Sequence, residues 1–376
     1  MTHIVIAADS FKGSATSQQV GEYLTNGIYR VDPTAEVTTV PIADGGDGTV
    51  ASVLAALGGQ ILTTTVEGPL GTPVEAQWGL LDDHHTAIIE MAAAAGLNLV
   101  QPDLAPLAAS TYGVGQLMAA AMAAGATTIY LGLGGSGTTD GGSGLLQALG
   151  AQLLTADGTP IPRGGAGLRQ LARVNLGTLT PQLADVTVIG LTDVSNVLTG
   201  PFGAAAVYGP QKGATPAMVT ELDQNLDHYQ AALAAQNDFP QSCPGDGAAG
   251  GTGFGLRVLG ARLQPGTATI LKLTHFQDRL AHADLVLTGE GRIDGQSLMG
   301  KASIGVVRLA KQLQLPVFLI AGSVGDDLDA IYGTGVDLVL SSTVSPMTVD
   351  QAVTQVAPLL TQAGTTAMHA FQLTQR

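Results

Sequence analysis

The chain has 376 residues, enough for roughly two to three domains with cores of ordinary size. Its 45% hydrophobic and 12% charged residues describe a folded protein rather than a disordered one. A formal net charge of −15, from 15 Lys+Arg against 30 Asp+Glu, leaves no basic stripe for nucleic acid and no attraction to an anionic membrane surface, so the acidity reads as solubility.

The first residues, Met1 to Asp9, lack a basic n-region and carry too short an apolar run for a signal peptide, which makes the cytoplasm the expected address. Within them His3–Ala8 reads as a buried strand. Val20, Tyr23, Leu24, Gly27, Ile28 and Val31 recur at helical spacing, which predicts a helix over Ser17–Val31 with Thr16 or Ser17 as N-cap. Glu36–Ile42 is a second strand. Gln60–Glu67, Pro73–Leu81 and Thr86–Met91 read as consecutive strands, with Asp82-Asp83-His84-His85 as the hairpin tip between the last two.

The uncharged run Leu104–Thr139 is interrupted by Pro106, is rich in Gly, Ser and Thr, and lacks flanking cations. It is therefore not a membrane span, and it divides into a helix over Tyr112–Ala124 and a strand over Thr128–Leu133. A helix over Gly142–Leu149, a strand over Val186–Leu191, and helices over Pro216–Gln236 and near Gly251–Ala261 follow. The C-terminal part gives a strand over Asp284–Thr288, a polar glycine-rich loop to Lys301, a helix over Ala302–Gln314, strands over Pro316–Ala321 and Val336–Ser341, and a helix from Val349 to about Gln362.

Alternating strands and helices at both ends imply a mostly parallel sheet with helices on both faces. The fold class is α/β with two α/β domains. A discontinuous terminal domain, 1–65 plus 284–376, carries the mostly parallel sheet, and an inserted domain, 66–283, carries a mixed sheet and helices. Polar or glycine-rich segments that follow apolar runs (Asp9–Ser14, Ala43–Thr49, Gly132–Gly142, Asp193–Asn196 and Thr288–Lys301) are expected to converge on a cleft between the domains.

The Thr288–Lys301 stretch is the most informative. Its glycines let backbone N–H groups approach an anion, and Arg292 and Lys301 add cations in a chain that has few. An anionic, phosphorylated ligand follows. Gly295-x-x-x-x-Gly300-Lys301 approaches a P-loop but fails as one, because Ala302 stands where Ser or Thr would hold Mg²⁺. A solvated lysine at a helix start is the plain alternative for Lys301.

Gly132-x-Gly134-x-x-Gly137 matches the dinucleotide pattern literally. However, Asp140 lies where a pyrophosphate wants no negative charge, and a triphosphate with Mg²⁺ suits Ser136 and an acid better. A ligand-free tight turn is the alternative there. The loop acids Asp9, Asp44, Asp47, Asp140, Asp193, Glu290 and Asp294 suit phosphoryl transfer, which needs carboxylates to hold Mg²⁺ and one to accept a hydroxyl proton. Turn or cap chemistry accounts for Asp47 and Asp140 individually. Asp193 ends a buried strand and is the preferred base.

The seven histidines show no metal-ligand spacing, and His84-His85 belongs to a solvated hairpin tip. Cys243 is the sole cysteine, sits in the loop Pro240–Gly245 without a nearby histidine, and is not a nucleophile. No Gly-x-Ser-x-Gly elbow with a partnered histidine supports serine hydrolysis.

Asp9-Ser-Phe-Lys-Gly-Ser14, Pro41-Ile-Ala-Asp-Gly-Gly-Asp-Gly-Thr49, Thr111-Tyr-Gly-Val-Gly115, Gly134-Gly-Ser-Gly-Thr-Thr-Asp-Gly-Gly142, Gly209-Pro-Gln-Lys-Gly-Ala214 and Thr288-Gly-Glu-Gly-Arg-Ile-Asp294, in this order over essentially the whole chain, resemble the bacterial type of glycerate kinase. The resemblance implies two α/β domains with the active site between them, and ATP and Mg²⁺ as cofactors. It also implies D-glycerate as acceptor and 2-phosphoglycerate or 3-phosphoglycerate as product. The implied partners are small molecules, without nucleic acid or membrane, and a homodimer stays open.

Carried onto this sequence, Lys12, Arg292 and Lys301 neutralise the substrate carboxylate and the transferring phosphoryl, with Asp193 or Asp294 as base. Gly134, Gly135, Ser136, Asp140 and Lys212 bind ATP. Ser10, Lys12, Asp44, Gly45, Gly46 and Arg292 bind glycerate, and Asp44 and Glu290 contact Mg²⁺. The departures are Asp47 where Glu is usual, Gly137 for Ala, Thr139 for Asn, Val197 for Pro and Ser303 for Pro, none of which removes a charge the chemistry needs. An NAD-dependent hydroxy-acid dehydrogenase using Gly132–Gly137 and a sugar-acid sensor without turnover are the rival readings.

Overall fold

A computed structural model describes residues 1–236, 242–298 and 301–375. Pro240 and Gln241 of the cysteine loop, and Met299 and Gly300 of the near-P-loop, lie outside the described residues. The strands are β1 (His3–Ala8), β2 (Glu36–Thr39), β3 (Gln60–Glu67), β4 (Pro73–Leu80), β5 (Thr86–Glu90), β6 (Thr128–Gly132) and β7 (Gln152–Leu154). They continue with β8 (Arg173–Asn175), β9 (Thr187–Leu191), β10 (Arg262–Gln264), β11 (Leu285–Ile293), β12 (Val317–Val324) and β13 (Leu338–Ser341).

The chain divides into two compact units, residues 1–44, 51–57 and 267–376 in the first and 45–50 and 58–266 in the second. The boundaries expected at 65/66 and 283/284 thus move to 57/58 and 266/267. β3 pairs with β4 from Gln60 to Glu67 and so belongs to the second unit. The segment after 266 buries Leu271, Phe276 and Leu280 in a core of the first.

The first unit holds a wholly parallel sheet in the order β13-β12-β11-β1-β2. Alternation along the strands divides its core into two faces. Ile4, Ile6, Leu285 and Leu287 pack with helices Ser17–Tyr29 and Val356–Thr374, while Val5, Ala7, Val286 and Leu319 pack with helix Ala302–Gln312. Helix Ser17–Tyr29 starts at Thr16, whose side chain accepts from Gln19 N while the Gln19 side chain accepts from Thr16 N, a reciprocal capping box.

Three elements of this unit differ from the expected ones. β2 ends at Thr39 instead of Ile42 because, after Val40 N donates to Ile6 O, the Ser17 hydroxyl comes between the strands, accepting from Ile42 N at 3.1 Å and donating to Ala8 O at 2.5 Å. The C-terminal helix runs to Thr374 rather than about Gln362. Leu360, Ala363, Gly364, Ala367, Met368 and Phe371 form one buried stripe, and a Cβ on Gly364 would lie 2.3 Å from Leu24 O. Close packing on helix Ser17–Tyr29 outweighs the poor helix propensity of Gly364-Thr365-Thr366.

β11 does not stop at Thr288: Gly289, Glu290, Gly291 and Arg292 are strand, not loop. β12 extends to Val324 beside them and pairs Glu290 with Ala321 and Arg292 with Ser323. A Cβ on Gly289 would meet Ile320 O at 2.0 Å, so this glycine serves close strand approach rather than a turn.

The second unit holds a mixed sheet in the order β10-β9-β6-β5-β4-β3, parallel from β10 to β5 and antiparallel at β4 and β3, with β7 and β8 as a separate antiparallel pair. Trp78, Met118, Leu131, Leu145 and Phe254 lie in its core. The Asp82–His85 tip is a turn, with Asp83 Oδ1 accepting from His85 N and Thr86 N. The uncharged run Leu104–Thr139 supplies helix Tyr112–Ala123 and β6, and among the described residues no helix is long and apolar enough to cross a membrane.

Candidate active site

In the first unit the sheet order places the topological switch between β1, whose chain neighbour β2 lies on one side, and β11, from which the order runs outward to β13. Open α/β sheets bind ligands outside the carboxyl ends of the strands at such a point. β1 ends into Asp9-Ser10-Phe11-Lys12 and β11 carries Glu290-Gly291-Arg292. These residues, with Asp44 and Lys301, line one cavity of about 510 Å³.

The cavity's charges are crowded and partly paired. Asp9 is half-buried, with Oδ1 accepting from Ser10 N at 2.6 Å. Burial, then the nearby Asp44 and Glu290 carboxylates, push its carboxyl up to about 7 against the pull of Ser10 N–H and Lys12. Glu290 is buried and accepts from Ser303 Oγ through Oε1 and from Lys301 Nζ through Oε2; burial raises its carboxyl while Lys301 and Ser303 oppose the rise. Lys301 Nζ also donates to Arg292 O at 2.7 Å, so its position is fixed from two sides. Arg292 Nε meets Asp294 Oδ2 at 3.0 Å. Lys12 is exposed.

Ser10, Lys12, Asp44, Glu290, Arg292 and Lys301 are therefore brought together as cavity residues. Asp294 stands behind Arg292, and its backbone N donates to Ser297 Oγ at 3.2 Å. Sequence reasoning named Asp9 among the loop acids but gave it no role, and it missed Ser323, Ser342 and Thr343, which line the same cavity from the ends of β12 and β13. Their position after parallel strands was the available signal.

In the second unit the glycine-rich loop after β6 turns inward. Asp140 is wholly buried and accepts from Thr111 N (2.8 Å), Thr111 Oγ1 (3.0 Å), Gly142 N (3.1 Å) and Gly144 N (3.3 Å). Burial raises its carboxyl, and these donors pull it back. It anchors the loop to the starts of two helices, and both oxygens of this expected ATP residue accept from protein donors.

Lys212 is 2% exposed, and its Nζ donates to Ser136 Oγ (3.0 Å) and Thr138 O (2.6 Å). Burial drops its ammonium to about 7, with Asp140 acting in the opposite sense. Its bonds to Ser136 and Thr138 brace the loop from within. The buried hydroxyls of Thr138, Thr139 and Tyr229 have no hydrogen-bond partner among the described residues.

Gly45 and Gly46, expected at the substrate, are buried against this loop. Gly134 N donates to Gly45 O at 3.2 Å, and Cβ atoms on Gly132 and Gly134 would lie 2.3 Å from Gly45 O and 2.5 Å from Gly46 Cα. Both pack closely on the backbone of this loop. Gly135, at φ +71°, is the exposed residue of the turn and Ser136 is half-buried. Asp193 lies two residues beyond β9, half-buried. Among the described residues no three His, Cys, Asp or Glu side chains form a metal cage.

The comparisons agree with the motifs. A sequence model of the glycerate kinase family matches residues 4–372. The glycerate kinase of Halalkalibacterium halodurans is 46% identical over 366 residues, 96% of each chain. The glycerate 2-kinase of Escherichia coli is 44% identical, over 93% of this chain and 92% of its own. A crystal structure assigned provisionally as glycerate kinase 2 from Salmonella typhimurium LT2 superposes with a TM-score of 0.87 at 39% identity, covering 100% of this chain and 99% of that one.

Proposed function

The chain belongs to the glycerate kinase family, and from that membership we propose that it transfers the γ-phosphoryl group of MgATP to a hydroxyl of D-glycerate. The observation that carries the reading is the set of Lys12, Arg292 and Lys301, gathered with Asp9, Asp44 and Glu290 at the switch point of a parallel sheet. Phosphoryl transfer asks little covalent chemistry of a protein and much positioning and charge compensation. Fixed cations supply the second without reorganising during the reaction.

Lys12 and Arg292 offset the charge of the triphosphate and of the glycerate carboxylate, and Lys301, held by Glu290 and Arg292 O, is aimed beforehand. Gly135, exposed at φ +71°, and the half-buried Ser136 are the residues of their own unit expected to meet an ATP phosphate. The glycerate hydroxyl oxygen attacks the γ-phosphorus in line, the bond from that phosphorus to the β–γ bridging oxygen breaks, and ADP leaves. The hydroxyl proton passes to a carboxylate, for which Asp193 and Asp294 are the two candidates.

Mg²⁺ needs only one or two carboxylates when phosphates complete its shell, and it would supply charge neutralisation to the transferring phosphoryl group. Asp44 suits that contact. Glu290, expected beside it, lines the same cavity and accepts from Ser303 and Lys301, each through one oxygen.

Phosphorus NMR of the protein with MgATP and D-glycerate tests the reading. A new phosphomonoester is expected, and its proton coupling separates the 2-phospho from the 3-phospho product. Bound ATP without product would replace glycerate by another hydroxy acid, and no nucleotide binding at all would overturn the kinase reading.

A further inference from the structure

The cavity of the first unit has two chemically distinct ends, and the proposed reaction so far uses one. Besides the charged residues, Met347 and the helices Val349–Thr354 and Val356–Thr374 contribute an aliphatic wall of Met347, Val349, Ala352, Val353, Val356 and Leu359. Val349 is 79% exposed although it lines a cavity, an uncovered apolar side chain beside a charged site.

Two of the hydroxyls that line the cavity make bonds within the protein, and the wall itself is aliphatic. Thr348 Oγ1 accepts from Gln351 N at 3.2 Å, and Thr343 Oγ1 donates to Gly322 O at 2.6 Å. The wall therefore offers surface rather than hydrogen bonds.

A volume of about 510 Å³ is that of a site for a ligand of drug size, and a three-carbon acid occupies a small part of it. Of the two substrates in the proposed reaction, glycerate is polar on every side, whereas the donor has a flat, largely apolar base. We infer that the aliphatic wall of Met347, Val349, Val353, Val356 and Leu359 seats the nucleobase of the phosphoryl donor, with the triphosphate directed to Lys12, Arg292 and Lys301 in the same cavity. This rests on the kinase reading and deepens it by placing the nucleotide in the first unit. Burial of a base against aliphatic side chains supplies affinity, and the unbranched thioether of Met347 adapts to its outline.

The test compares the wild type with Val349→Ser, Val353→Ser and the double variant in steady-state kinetics. It adds binding of a ribose-labelled fluorescent ADP and inhibition by tripolyphosphate, which has the phosphates but no base. The double variant is expected to raise the KM for ATP about tenfold or more. Labelled-ADP binding should weaken in parallel, while the KM for glycerate and tripolyphosphate inhibition stay within about twofold of the wild type. Val349 is exposed enough that its substitution leaves folding intact, and a thermal midpoint checks the pair.

Unchanged ATP and ADP affinity in a wild type that phosphorylates glycerate would overturn the nucleobase seat alone. A raised KM for glycerate instead would assign the wall to the acceptor, and a change of oligomeric state in its place would assign it to a second copy of the chain; either overturns the inference. A wild type that neither binds ADP nor turns over would overturn the kinase reading itself.

Discussion

The two glycine-rich regions that carry the family motifs look alike in sequence and are used in opposite ways. In the first unit, the ends of β1 and β11 open their charged residues into a cavity: Lys12 is exposed, and Asp9, Asp44, Glu290 and Arg292 share the space with it. In the second unit, the loop after β6 folds its charged residues inward, with Asp140 sealed among backbone N–H groups and Lys212 donating to Ser136 and Thr138. Burial shifts both sites toward the neutral form, raising Asp9 to about 7 and lowering Lys212 to about 7. Motif membership thus does not tell a side chain open to a cavity from one buried in a loop, whereas the fold does.

The hardest blow to that contrast is Asp140→Ala. It strands Thr111 N, Gly142 N and Gly144 N and removes the charge that favours protonated Lys212, so urea unfolding should show a loss of about 3–5 kcal/mol. A loss below about 1 kcal/mol would mean that Asp140 is not an anchor.

The two shifted groups should then leave opposite marks on stability. Asp9 binds its proton more tightly folded than unfolded between pH 3.8 and about 7, so stability contributed there falls as pH rises through that window. Asp9→Asn should flatten the fall and be relatively more stable at pH 8 than at pH 5, by roughly 2–4 kcal/mol at most. Lys212 binds its proton less tightly folded between about 7 and 10.5, so stability rises with pH there, and Lys212→Met should flatten that rise. Equal pH slopes in wild type and both variants would remove the electrostatic half of the comparison.

Thr16→Ala, which removes a hydroxyl that caps a helix, sets the scale of a plain structural change. Losing half of the capping box on helix Ser17–Tyr29 should cost about 1 kcal/mol in urea unfolding, with KM values unaltered.

Much of the fold was legible because its elements follow simple periodicity. The run His3–Ala8, the spacing Val20-Leu24-Ile28 and the alternation toward the C-terminus describe the parallel sheet and its helices. What escaped was set by tertiary partners. Gly289-Glu290-Gly291 reads as a loop until β12 is alongside it, and Gly364-Thr365-Thr366 reads as a helix end until Leu24 packs there. At the site, charge and glycine content found Lys12, Arg292 and Lys301. The same signals could not reveal that Asp140 and Lys212 point inward or that Gly45 and Gly46 pack on Gly132 and Gly134, because burial is a property of the fold. The aliphatic wall from Met347 to Leu359 left no trace, since apolar helix residues read as core.

The comparison is tested most directly by one matched pair, Lys12→Met and Lys212→Met, with kcat/KM for phosphorylation of glycerate and the unfolding free energy measured on each. The account predicts that Lys12→Met lowers kcat/KM by about 10²–10³ with stability within about 0.5 kcal/mol of the wild type. Lys212→Met should instead lose about 1–3 kcal/mol of stability, with the smaller loss of kcat/KM. Full activity in Lys12→Met, together with an inactive but undiminished fold in Lys212→Met, would contradict it.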